Sequence, residues 1–154
     1  IIHLMKQNHI QIKPLSSEQL DEWMPLWKGY QSFYQADIPE HVTATTWQKL
    51  TDPDQQHIYG FAALVDKQVI GIVHIIEHDS CWTIQPYAYL QDLYVNEQFR
   101  NQGIARKLIE YAQQVANERN CDRLYWLTHE SNQSAQLLYD RIARKTGFIQ
   151  YRCP

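Results

Sequence analysis

Apolar and polar positions alternate through Ile10, Ile12 and Leu15 and then meet Ser16, Ser17 and Glu18, which predicts a short strand running into a helix N-cap. From Glu18 to about Gln35 the rings of Trp23, Trp27, Tyr30 and Tyr34 fall at i, i+4, i+7 and i+11, so one face of that helix is aromatic. His41 to Leu50 predicts a second short helix, and Thr51 to Gln56 a loop. Ile58 to Val65 and Val69 to Ile76, joined by Asp66, Lys67 and Gln68, read as a hairpin, and Tyr89 to Val95 as a further strand after a loop at Ser80 to Pro86. Ile104, Ala105, Leu108, Ile109, Ala112, Val115 and Ala116 then form one stripe at the 3.6-residue period, the clearest helix in the chain. Leu124 to Thr128 predicts a strand and Asn132 to Lys145 a helix, with Gly147 placed for a left-handed cap and Phe148 to Arg152 for a closing strand. The order is strand, helix, helix, hairpin, strand, helix, strand, helix, strand: an α+β domain with a mixed sheet.

At 154 residues and 18.3 kDa the chain is long enough to bury a core of its own. One domain is expected over 8–154, with residues 1–7 as an N-terminal extension, native or added. Cys81, Cys121 and Cys153 are odd in number and far apart, which argues against a disulfide scaffold and points to a cytoplasmic protein. The apolar runs are too short for a membrane span, and the scattered Lys and Arg make no continuous basic stripe, so neither a membrane nor a nucleic acid is expected as partner. Charge is uneven: residues 1–97 carry 5 basic and 12 acidic side chains, residues 98–154 carry 9 and 5. A protein holding a cationic ligand at one end and an anionic one at the other would show that split.

The junction from Leu93-Tyr94-Val95 through Arg100-Asn101-Gln102-Gly103 into Ile104-Ala105 gives the split a reason. A strand entering a helix through a turn with one glycine leaves backbone N–H groups unpaired at the positive end of the helix dipole, where an anion fits. His74-Ile75-Ile76-Glu77-His78 spells a zinc-peptidase pattern, but it lies in a β-branched run where the ligands would not share a helix face, so no metal is expected. The aromatic stripe is either core packing or, at Trp27, Tyr30 and Tyr34, a wall for an ammonium group.

These residues resemble the GNAT superfamily of N-acetyltransferases. Arg100-x-x-Gly103-x-Ala105 is similar to its pyrophosphate-binding motif, Asn132 with Ala135 and Tyr139 fall on the expected helix, and Gly147-Phe148 leads toward a terminal strand. Within the superfamily, Tyr89 to Val95 and the aromatic first helix look most like the spermidine/spermine (diamine) acetyltransferases and related small-amine and amino-acid enzymes. The resemblance implies acetyl-CoA as co-substrate and a mostly antiparallel mixed sheet. It implies that Leu93, Tyr94 and Val95 pair with the pantetheine arm, that Arg100, Asn101, Gln102, Gly103, Ile104 and Ala105 hold the pyrophosphate, that Asn132, with Ala135 beside it, binds near them, and that Tyr139 protonates the departing thiolate. Gln91 stands where the diamine enzymes carry an acid, while the adjacent Asp92 is kept; Asn101 stands where many members have glycine.

An amine with a pKa near ~10 must lose a proton before it can attack a thioester. Asp92 and Glu130 are the candidate bases, with His129 third; Gln91 and Asp92 are also candidate substrate contacts, and a backbone N–H at Val95 the candidate for the oxyanion. The expected activity is direct acetyl transfer to a primary amine of a small molecule, by a homodimer paired through the last strands. A CoA-binding sensor without turnover and a protein N-acetyltransferase are the alternatives.

Overall fold

The computed structural model describes residues 9–154. The extension expected over residues 1–7 lies outside the described residues. A five-stranded sheet runs in the order β1 (Gln11–Pro14), β2 (Ile58–Val65), β3 (Gln68–His78), β4 (Tyr87–Val95), β5 (Arg123–Tyr125). All neighbours are antiparallel except β4 and β5, which are parallel. Helices α1 (Leu20–Phe33) and α2 (Glu40–Thr51) pack on one face, and α3 (Ile104–Glu118) on the other; α4 (Gln133–Ile142) follows β5. The β2–β3 hairpin closes at Asp66 and Lys67, both with positive φ, as a tight two-residue turn that matches strand twist requires.

The core divides at the sheet. Trp23, Leu26, Trp27, Trp47 and Leu50 cover Ala62, Val69 and Ile72 on the α1/α2 face, while Ile104, Leu108, Ile109, Ala112 and Ala116 cover Ala63, Ile70, Val73 and Ile75 on the α3 face. This is the two-residue alternation of buried strands, shifted once where Ala63 pairs Gly71 and Leu64 pairs Val69 so that Ile70 is extra, meeting the 3.6-residue stripe of the helices. Gly71 lets α3 sit close: a Cβ there would lie 3.1 Å from Leu108 and 3.3 Å from Ile104.

The far end of the chain departs from expectation. The strand expected over Leu124 to Thr128 stops at Tyr125, and the helix expected to reach Lys145 ends at Ile142. Gly147 has φ +88° but lies too far past Ile142 to cap it. The closing strand at Phe148 to Arg152 does not form; Phe148, Ile149 and Tyr151 are exposed. A strand needs a ladder partner, and this segment has none among the described residues.

Candidate active site

The gap that holds the candidate site opens where β4 and β5 part. Their pairing ends at Tyr89 with Tyr125, and two residues later β4 bulges: His74 pairs Asp92 but Ile75 pairs Leu90, leaving Gln91 opposite nothing on β3. The extra residue bends β4 away from its neighbour. Leu90, Gln91 and Leu93 form one wall, Trp126, Leu127 and Thr128 the other, and Tyr30, Tyr34 and Tyr139 close the ends.

Backbone direction decides what β4 offers to this gap. The Asn96 N–H donates to Ile70 O across β3 at 2.8 Å, so by alternation the Tyr94 peptide also faces β3, while the Leu93 and Val95 amides face outward. Tyr94 was expected to pair its backbone with a bound arm; its peptide is turned the wrong way. Its ring contributes instead, lying under the Arg100 guanidinium, whose Cζ is 5.2 Å from the ring centroid. Arg100 Nε also donates to Val95 O at 3.2 Å, fixing the entry to the turn.

That turn uses left-handed backbone twice, at Asn101 (φ +60°) and Gly103 (φ +78°), before α3 begins at Ile104. Asparagine tolerates this region better than other side chains, which explains how the turn forms without glycine at 101. A Cβ on Gly103 would stand in open space with nothing within 4 Å, at the mouth of the helix N-terminus. The turn leaves open space beside its backbone at the start of α3, where a diphosphate was expected. Ile104 is buried and Ala105 half-buried, so their part there is through backbone amides alone, and exposed Arg106 is tied to Glu110 one turn on at 2.8 Å. Gln102 is half-buried in the same turn.

The aromatic stripe of α1 divides between two environments. Trp23 and Trp27 are buried and stacked at 5.5 Å, and the Trp27 indole N–H donates to Thr43 Oγ1 at 3.0 Å. Trp27 is thus core and not a substrate-facing ring, a correction to its expected place; Tyr30, stacked on it at 5.6 Å, and Tyr34 line the gap. Below them lies Asp92. Burial, and then the charge of Asp92 and a hydrogen bond to it, push the Tyr30 phenol far above its ordinary value. Burial and the same carboxylate raise Tyr34 and Tyr89. Asp92 is therefore ringed by three phenols that stay protonated and can only donate or present their faces.

Behind Asp92 is a partner that sequence reasoning missed. His74 Nδ1 lies 2.9 Å from Asp92 Oδ2, and the Trp23 indole N–H donates to His74 Nε2 at 3.0 Å. The signal was the β3–β4 register, which sets 74 against 92 but is fixed only once the loop between those strands is known. His78, by contrast, is exposed and bonds the Tyr125 hydroxyl at 2.7 Å. Among the described residues no group of three His, Cys, Asp or Glu side chains could hold a metal.

Tyr139 sits on α4 with its ring edge-on to Trp126 at 5.3 Å, and burial, then Tyr34 across the gap, raises its phenol above the ordinary value. Asn132 caps α4: its side chain accepts from the Ala135 N–H at 3.4 Å, so its carbonyl oxygen already has a structural task. Glu130 and His129 lie exposed in the β5–α4 turn, outside the lining of the gap, with His129 Nδ1 against Ser131 Oγ at 2.7 Å. The lining of the gap brings Gln91, Tyr30, Tyr34 and Tyr139 together; Asp92, outside that lining, meets it through Tyr30 and Tyr34, and Glu130 stays apart.

The chain is similar to known proteins in sequence and in fold. The chain is 34% identical over 150 residues to a D-amino-acid N-acetyltransferase of Saccharomyces cerevisiae, covering 96% of this chain and 92% of the yeast protein. It is 31% identical over 106 residues, 66% of each chain, to a thialysine N-epsilon-acetyltransferase of Caenorhabditis elegans. Among solved structures, an aminoglycoside acetyltransferase from an uncultured soil metagenomic sample superposes with a TM-score of 0.79 at 22% identity, covering 96% and 97% of the two chains, which speaks to the fold alone. The family model described as Acetyltransferase (GNAT) family matches residues 18–143. With that match spanning most of the chain, the protein belongs to the GNAT family of acetyltransferases.

Proposed function

We propose that this enzyme transfers the acetyl group of acetyl-CoA directly to a primary amine of a small molecule, and that Asp92 and Tyr139 carry the proton transfers. The observation that carries the reading is the Asp92 carboxylate acting on Tyr30 and Tyr34, two of the phenols that line the gap Tyr139 closes. A half-buried carboxylate beside aromatic residues attracts an ammonium group and not an anion.

The turn at Arg100 to Ala105 would hold the pyrophosphate, and the outward amides of Leu93 and Val95 the arm that brings an activated acetyl thioester into the gap. Asp92, directly or through water, takes the proton that the ammonium must lose. The amine nitrogen then bonds the thioester carbonyl carbon, and the Val95 N–H faces the oxygen that gains charge. As the C–S bond breaks, Tyr139 gives its proton to the sulfur; the second proton of the attached nitrogen passes through water to the phenolate, and the proton on Asp92 leaves to solvent, which closes the cycle. Tyr139 suits the task because phenol and thiol differ little in basicity.

The named relatives act on D-amino acids, thialysine and aminoglycosides, which supports small amines as the acceptor class: amino acids, lysine-like amines, diamines or polyamines. Two copies would cover the open edge of β5 and the exposed Phe148, Ile149 and Tyr151 by pairing their terminal segments, so the working form is a homodimer, and the compartment the cytoplasm. The test is CoA thiol release across those amines, with sedimentation for the dimer. Turnover on at least one class is expected; tight CoA binding with no turnover on any amine favours a sensor, and turnover on peptide N-termini alone favours a protein acetyltransferase.

A further inference from the structure

The buried histidine behind the acceptor site has one feature that packing does not require: both of its ring nitrogens are committed. The Trp23 indole can only donate, and it lies 3.0 Å from His74 Nε2. That nitrogen must therefore present a lone pair, and the ring's proton must sit on Nδ1, which lies 2.9 Å from Asp92 Oδ2 and donates to it. Trp23 is itself immobile, fully buried between Trp27 and Trp47 at ring separations of 5.5 and 4.7 Å, and His74 is 3% exposed. The chain of donors runs one way, from α1 through β3 to β4, and ends on the carboxylate.

We propose that His74 is a positioning residue of the acceptor site: pinned in its Nδ1–H form by the Trp23 indole, it fixes one oxygen of Asp92 so that the carboxylate stands ready beneath Tyr30 for an ammonium group. This rests on the acetyltransferase reading above. Without the lock the imidazole could carry its proton on Nε2, turn a lone pair toward Asp92 and repel the carboxylate from its place. Asp92 is thereby held by a neutral donor, which leaves its charge for the substrate.

The experiment joins long-range proton–nitrogen NMR on the intact protein with acceptor kinetics. The parent should show His74 as the neutral Nδ1–H form at pH 7.5. Trp23→Phe, which deletes the donor and keeps a ring, should populate the Nε2–H form and lower kcat/KM for the amine by roughly 10- to 100-fold, the range that orienting partners outside a site carry, with the KM for acetyl-CoA unchanged. His74→Asn, which can still donate to Asp92, should retain most acceptor activity where His74→Leu loses it. An Nε2–H or doubly protonated His74 in the parent overturns the proposal, as does Trp23→Phe that frees the tautomer without touching the kinetics, or asparagine and leucine losing equally. A parent that acetylates no amine defeats the acetyltransferase reading and the proposal with it, and the NMR lock, read independently of turnover, separates that failure from a wrong tautomer.

Discussion

The Tyr94 phenol lies against Gly29: a Cβ on that glycine would stand 2.7 Å from the Tyr94 hydroxyl oxygen and 2.8 Å from two of its ring carbons. A glycine in mid-helix costs about 1 kcal/mol relative to alanine, and here the contact accounts for it. The same ring carries Arg100 on its face, so a residue of α1 helps to place the first residue of the turn proposed to hold the pyrophosphate. Gly29→Ala should therefore leave overall stability within about 2 kcal/mol, since the gain in helix propensity opposes the crowding. It should also swing Tyr94 aside and weaken CoA binding several-fold. Calorimetry with CoA beside a thermal melt checks both halves; full affinity in the variant would show that Arg100 does not depend on Tyr94.

Gly103→Ala separates two demands made of one residue. Its φ of +78° makes any side chain strained, at about 1–2 kcal/mol, yet a Cβ would touch nothing of the protein within 4 Å. The variant should fold with a modestly lower melting temperature and lose about tenfold or more in CoA affinity, the equivalent of one or two backbone hydrogen bonds. Equal affinity for CoA in the two proteins would place the diphosphate elsewhere.

Much of this was legible in the sequence. The stripe of α3 and the glycine before it announce themselves because burial and backbone geometry there are local properties, set within a few residues. The hairpin likewise follows from two apolar runs and a short turn. What was not legible depends on register: the bulge at Gln91, the pairing of His74 with Asp92 and the inward turn of the Tyr94 peptide all follow from how β3 lies against β4, and period-2 alternation is blind to a shift between strands. The stripe on α1 was read as one surface, yet Trp27 is core and Tyr30 is site, because helical period gives a direction and not how far the neighbouring sheet extends. The segment Phe148 to Arg152 had the composition of a strand but pairs with no edge among the described residues.

The raised phenols make a prediction about alkaline pH. Tyr30 and Tyr59 both lie far above the ordinary value, each mainly through burial and then through a carboxylate, Asp92 or Glu77. A group whose folded pKa is raised holds its proton more tightly in the native state, so its stabilising effect is complete below the unfolded phenol value near ~10 and is lost as pH climbs toward the folded value. Of the ten tyrosines, the exposed ones should ionise smoothly, and Tyr30 and Tyr59 only together with unfolding. Absorbance of phenolate followed beside circular dichroism checks this, and Tyr59→Phe should shrink the step that coincides with unfolding. A single smooth titration with the fold intact would show that these hydroxyls are not held.

Tyr139 offers the most direct test of the chemistry. Its hydroxyl is held above the ordinary value by burial and by Tyr34, so it stays protonated across the neutral range and can donate, but it is a weaker acid than a free phenol. Tyr139→Phe keeps the ring against Trp126 and removes only the hydroxyl, so kcat should fall by about 100-fold or more, within the range for general acids, while CoA affinity and melting temperature change little. The sign of the pH dependence follows: the parent should show no loss of kcat from Tyr139 ionisation below pH ~10. The acceptor amine can be varied to separate its own deprotonation from that of the enzyme, because a less basic amine moves the acid limb and leaves the alkaline one in place. If kcat of Tyr139→Phe matches the parent with every amine, the proton reaches the sulfur from solvent, and Tyr139 serves only to close the gap beside Trp126.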